Sequence, residues 1–124
     1  MLPDGSALVG QRRTGEVVLV APDGTSRSVG RVPGVADRGE GGLLGLAVAP
    51  DAPGTLLAYL TTDDDNRVVA LPVDGGRLGE PRVLLDGIPA GSIHNGGRLA
   101  IGPDGHLYIG TGDAGERSRS QSSA

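Results

Sequence analysis

His94 and Asp113 are the residues whose types and spacing point first to chemistry. A neutral imidazole accepts a proton near pH 7, and a carboxylate beside it orients the ring and favours the imidazolium that forms. The segment between them shows how they can meet. Leu99–Ile101 and Leu107–Ile109 are short apolar runs on either side of Pro103-Asp104-Gly105, a turn sequence, and so predict a hairpin. A hairpin returns the chain to its starting edge. His94 on the entry loop and Asp113 on the exit loop then lie at the same end.

The hairpin is half of a repeat. Pro3-Asp4-Gly5 precedes Ala7–Gly10 as Pro103-Asp104-Gly105 precedes Leu107–Gly110, at an offset of 100 residues. Gly15–Gly24 superposes on Asn66–Gly75 at an offset of 51, and Leu46–Asp51 on Leu99–Asp104 at an offset of 53. Several short strands in a unit of about 50 residues are the signature of a β-propeller blade. Each unit reads inner strand, Pro-Asp turn, second strand, turn, third strand, Asp-Gly turn and a weaker fourth strand such as 81–85. Helical spacing of apolar residues is absent. The expectation is an all-β chain of about two and a half four-stranded antiparallel blades over residues 1–115. A Ser- and Arg-rich tail, 116–124, is expected to be disordered.

Composition bounds the rest. The chain has 124 residues, with 23 Gly and 9 Pro, no Phe, no Trp and two Tyr, so Val, Leu, Ile and Ala must build the core. A net charge of −4 with mixed signs argues against a nucleic-acid partner. The absence of Cys excludes disulfides and thiolate metal sites and leaves the redox compartment open. No stretch approaches membrane-spanning length. The opening Met1–Gly5 is already a turn rather than a signal peptide, and reads as the start of a chain whose upstream part is missing. Two and a half blades are fewer than the roughly four to eight that close a propeller, so the chain reads as a fragment, or as a unit that self-associates.

Glu40-Gly41-Gly42 and His94-Asn95-Gly96-Gly97 lead into equivalent inner strands, which predicts Glu40 and His94 at one mouth of the channel on adjacent blades. Each candidate also has a plain structural reading. His94 alone is equally a solvent-exposed loop residue, Asp113 a turn cap, Glu40 a surface carboxylate, and Arg98 a residue orienting a loop carbonyl. His106 falls in a hairpin turn, where it is exposed and inert. Asp63-Asp64-Asp65-Asn66 has the composition of a calcium loop without its spacing or closing Glu, and reads as a turn. The glycines near Gly41 lack the Lys-Ser/Thr ending of a phosphate loop.

Three blocks resemble the soluble quinoprotein sugar dehydrogenases, the glucose/sorbosone dehydrogenase-like family. They are Leu2-Pro3-Asp4-Gly5 with Leu8-Val9, Arg12 and Gly15; Gly39-Glu40-Gly41-Gly42-Leu43-Leu44-Gly45-Leu46-Ala47; and His94-Asn95-Gly96-Gly97-Arg98-Leu99 running to Gly112-Asp113. The resemblance implies a six-bladed propeller that binds pyrroloquinoline quinone (PQQ) and calcium at its mouth and oxidises the C1 hydroxyl of aldoses, with an external electron acceptor. It implies that His94 takes the hydroxyl proton while hydride moves to the quinone, with Asp113 orienting the ring. On this reading Glu40 and Asn95 are assigned to the sugar and Arg98 to the cofactor, with no metal ligand in the chain. The family's glucose-oxidising members can carry Gln where Glu40 stands, so the sugar is left open.

The family's other blades supply most PQQ contacts and the calcium-binding backbone oxygens, and the isolated chain is therefore expected to be inactive. A non-catalytic propeller module that binds sugar or protein, and a truncated inactive product, are the rival readings. The resemblance implies a periplasmic or secreted parent.

Overall fold

The computed structural model describes residues 1–121. Ten strands run in chain order: β1 (Ala7–Gly10), β2 (Glu16–Val20), β3 (Ser26–Arg31), β4 (Leu43–Val48), β5 (Thr55–Thr61), β6 (Asn66–Asp74), β7 (Arg77–Leu78), β8 (Arg82–Ile88), β9 (Gly96–Ile101) and β10 (Leu107–Thr111). A 3-10 turn over Arg117–Gln121 follows, within the segment expected to be a disordered tail; positions 122–124 of that tail lie outside the described residues.

All pairing is antiparallel and forms three sheets. The first has the order β1-β2-β3, the second runs β4-β5-β6 with β7 and β8 both paired to β6, and the third is the β9-β10 hairpin. The hairpin has the register expected from sequence, with Leu99 opposite Ile109 and Ile101 opposite Leu107. The weak fourth strand expected at 81–85 is β8, which is longer and reaches Ile88.

Strand periodicity explains how the middle sheet holds the other two. Successive side chains of a strand point to opposite faces, and a sheet covered on both faces needs an unbroken apolar run. Leu56, Ala58 and Leu60 of β5 join Val17 and Val29 from the first sheet, Val32 just after it, and Val69 and Leu71 from β6 in one core cluster. Leu57 and Tyr59 join Val68, Ala70, Ile88 and Leu99 in a second cluster against the third sheet. The run Leu56–Leu60 thus serves two interfaces.

The Pro-Asp-Gly turns are built alike, at the end of the sheets away from His94. In each, the glycine N–H donates to the carbonyl three residues back: Gly5 to Leu2 (3.0 Å), Gly24 to Ala21 (2.9 Å), Gly105 to Gly102 (3.0 Å). In each, the aspartate accepts the N–H two residues on, from Ser6, Thr25 and His106. The glycines have φ of 83°, 86° and 79°, a region costly for a residue with a Cβ. A Cβ on Gly24 would meet nothing within 4 Å, so only backbone strain opposes it. Gly24→Ala is expected to lower stability by about 1–2 kcal/mol, measured as the urea midpoint of the chain.

These turns also predict acid sensitivity. Bonds from the Ser6 hydroxyl to Asp4, the Thr25 hydroxyl to Asp23 and the Tyr108 hydroxyl to Asp104 hold all three carboxyls below the ordinary 3.8. A group depressed in the folded state stabilises it above its unfolded pKa, and that contribution fades as pH falls through the folded value. The urea midpoint should therefore be level down to about pH 5 and decline below about pH 4, a window set by the ordinary aspartate pKa. A decline already complete at pH 5 would contradict the turn geometry.

Candidate functional site

Three loops converge at the other end of the sheets: residues 38–42 before β4, 89–95 before β9 and 112–116 after β10. His94 lies at their junction with a φ of 56°, left-handed although it carries a side chain. That conformation costs about 1–2 kcal/mol and persists where neighbouring bonds hold it. Three do. The His94 N–H donates to Glu40 Oε2 at 3.0 Å, the His94 carbonyl accepts Ala114 N–H at 3.0 Å, and Nδ1 meets Asp113 Oδ1 at 2.9 Å. Closure is tight: a Cβ on Gly112 would fall on the His94 carbonyl oxygen.

Asp113 orients the ring. Its Oδ1 also accepts Gly115 N–H at 2.9 Å. That bond, with the one from His94, holds the Asp113 carboxyl below the usual aspartate range. An ionised carboxylate only accepts, so Nδ1 carries the hydrogen, and in the neutral ring that leaves the lone pair on Nε2. The His94 side chain is 60% exposed and Asp113 17%, which leaves the ring open to a reactant and its partner shielded. Such an arrangement can take up a proton at Nε2 and hold the ring while it does so.

The structure brings Glu40 to this pair, as the offset between the inner-strand loops predicts. Its N–H donates to the Ser92 carbonyl at 2.8 Å. Its carboxylate is exposed, and Oε1 makes no hydrogen bond among the described residues.

Asn95, assigned from sequence to the substrate, is placed otherwise. It is 3% exposed. Its amide nitrogen donates to the Gly91 carbonyl at 2.8 Å, while Oδ1 accepts from Gly91 N–H at 2.9 Å and Asn66 Nδ2 at 3.1 Å. A buried amide must satisfy its donors and acceptor, and this one does so by closing its own loop. Arg98 is exposed on β9 and borders a groove of about 370 Å³ between Leu44–Leu46 of β4 and Gly96–Leu99 of β9. Its side chain makes no hydrogen bond among the described residues, so it does not orient a loop carbonyl there. His106 lies in the far turn, 3.3 Å from Asp104 Oδ2 and 80% exposed. Asp63–Asp65 turn between β5 and β6, with Asp63 paired to Arg38 and Asp65 to Arg67.

Sequence reasoning missed the layer beneath His94. The Tyr59 hydroxyl donates to the Asn95 carbonyl at 2.7 Å, and burial pushes its pKa up to about 12. Asn66, fully buried, accepts from the Thr61 hydroxyl at 2.7 Å and donates to the Pro89 carbonyl at 2.9 Å as well as to Asn95. The available signal was a lone aromatic in an apolar strand and an amide opening the next one, since each needs a buried partner. Among the described residues no three His, Asp or Glu side chains stand close enough to hold a metal ion. No described helix is long and apolar enough to cross a membrane.

A family model described as glucose/sorbosone dehydrogenase matches residues 1–124. Quinoprotein glucose dehydrogenase B of Acinetobacter calcoaceticus is 32% identical over 91% of the chain, which covers 27% of that protein. Aldose sugar dehydrogenase YliI of Escherichia coli (strain K12) is 32% identical over 97% of the chain, covering 36% of its own length. Among solved structures, the PQQ-bound aldose sugar dehydrogenase of Streptomyces coelicolor superposes with a TM-score of 0.92 at 45% identity, over 97% of this chain and 38% of that one. An oxidoreductase from Thermus thermophilus described as a glucose dehydrogenase gives 0.86 at 42% identity, over 95% of this chain and 37% of that one. The chain thus spans between about a quarter and two fifths of these proteins.

Proposed function

Because the chain belongs to the glucose/sorbosone dehydrogenase family, we propose that it carries the proton-accepting part of a PQQ-dependent enzyme oxidising the C1 hydroxyl of aldoses. The three sheets are then successive blades of a six-bladed propeller, with β4 and β9 as inner strands lining its channel. The observation that carries the reading is the 2.9 Å contact of His94 with a shielded, ionised Asp113, with Nε2 left open.

The residues present fit PQQ along one edge. The groove runs between β4 and β9 beside Arg98, whose guanidinium has no hydrogen-bond partner among the described residues and complements a carboxylate. When bound, PQQ supplies the two-electron acceptor for the hydride leaving C1. His94 Nε2 accepts the hydroxyl proton, and Asp113 holds Nδ1–H and stabilises the imidazolium. Glu40 Oε1 is available to accept a hydrogen bond from a sugar hydroxyl. Among the described residues no three His, Asp or Glu side chains stand together to hold calcium.

Asp113→Asn tests this reading in a full-length protein carrying these residues. Asparagine keeps a polar partner for the ring and removes the charge that favours imidazolium. We expect kcat to fall about ten- to hundredfold with PQQ affinity unchanged, from steady-state sugar oxidation with cofactor saturation checked by titration. Full retention of kcat would overturn the role given to Asp113.

A further inference from the structure

We propose that Arg12, in the first sheet's β1–β2 loop, is a positioning residue that sets the backbone of His94 two sheets away, through the loop that carries Glu40. The inference rests on the reading of His94 as the base. Arg12 Nη1 donates to the Gly39 carbonyl at 2.9 Å and to the Gly41 carbonyl at 2.7 Å, the two carbonyls that flank Glu40. The Arg12 carbonyl accepts Leu43 N–H at 2.8 Å just beyond them. Three bonds from one residue thus clamp the segment 39–43.

The clamped segment passes its position on. Glu40 reaches the loop that leads into the third sheet twice, by its N–H to the Ser92 carbonyl and by Oε2 to the His94 N–H. Of the three bonds that hold His94 left-handed, only the one to Glu40 comes from another sheet. The other two come from Asp113 and Ala114, on the loop after β10. A Glu side chain has three free torsions, and its carboxylate is precise only if its backbone is fixed. Arg12 supplies that fixing. Charge alone does not, since the neighbouring Arg13 is exposed and makes no side-chain hydrogen bond among the described residues. Arg12, Glu40 and His94 therefore form one line across three sheets, and it ends on the group whose direction matters most.

The test reads the His94 amide, which needs no cofactor. In the ¹⁵N-labelled 124-residue chain, hydrogen exchange and the φ-sensitive three-bond coupling of His94 are measured for Arg12→Ala, Glu40→Ala, Glu40→Gln and Arg13→Ala. Losing a hydrogen bond to a charged acceptor should speed exchange about tenfold or more in Glu40→Ala. Arg12→Ala should speed it several-fold with the β5 and β6 amides unchanged, and should add nothing in the Glu40→Ala background. Glu40→Gln, which keeps an acceptor oxygen, should restore most protection, and Arg13→Ala should match the parent chain. An unchanged His94 amide in Arg12→Ala, or equal acceleration across β5 and β6, overturns the proposal. So does an Arg12→Ala effect that survives in the Glu40→Ala background. If Arg12→Ala cannot be folded, Arg12→Met, which keeps the aliphatic stem and removes the donors, takes its place, and His94 exchange equal to the parent's in that variant overturns the proposal. Loss of the base reading looks different: His94 substitution would leave turnover intact while the amide coupling persisted.

Discussion

Replacing His94 is expected to lower kcat by about 10²–10⁴-fold in a full-length protein carrying these residues, the range a positioned general base contributes. PQQ affinity should change little, because the proposed function assigns His94 to the sugar hydroxyl and Arg98 to the cofactor. The choice of substitution matters. His94 has a φ of 56°, where most side chains are strained and asparagine is better tolerated. His94→Asn therefore removes the base while sparing the backbone, and His94→Ala adds any rearrangement of the loop. Both should be crippled, and a much larger loss for Ala than for Asn would report the cost of moving the backbone. His106→Ala should be silent, since that imidazole sits in the far turn. Steady-state sugar oxidation at saturating PQQ decides the matter. Near-full kcat in His94→Asn would leave the Asp113 contact as a turn device and return the chain to a binding role.

The sequence revealed what local chemistry dictates. Pro-Asp-Gly demands a glycine at positive φ, and the turns at 3–5, 22–24 and 103–105 have it. Alternation and apolar runs specify strands, so the β9–β10 pairing was legible to the residue, and with it the meeting of His94 and Asp113. Equivalence of the loops before β4 and β9 brought Glu40 to the same place. What the sequence did not disclose is the direction of side chains that spend their polarity inward. Asn95 follows the base in a glycine-rich loop and looks available, yet its amide is taken up by Gly91 and Asn66. Arg12 falls in a family-like block and Arg13 does not, but its role was hidden, because what it does is bind a pair of carbonyls 27 and 29 residues on. Such contacts cross sheets, and no periodicity within a strand encodes them.

Tyr59 is expected to carry the largest stability effect. It is fully buried in the cluster between the second and third sheets, the only aromatic there, and its hydroxyl ends on the Asn95 carbonyl. Truncating a buried ring costs about 3–5 kcal/mol, a large part of the roughly 5–15 kcal/mol that holds a domain folded. Tyr59→Ala should therefore be barely folded or unfolded by urea titration. Tyr59→Phe keeps the packing and removes one hydrogen bond, so about 1 kcal/mol is expected. The Asn95 carbonyl would then rely on Asn66 Nδ2 at 3.4 Å, a much weaker partner. Alkali provides an independent check. Burial raises the phenol from 10.0 to about 12, so the folded state keeps a proton that the unfolded chain gives up. That contribution is complete below the unfolded value and is lost as pH rises through the folded one. The urea midpoint of the parent chain should fall between about pH 10 and 12, and Tyr59→Phe should fall less over the same interval. Equal alkaline slopes in the two proteins would mean that the Tyr59 hydroxyl is not sealed beneath the loop, and the rigid seat assigned to His94 would lose its floor.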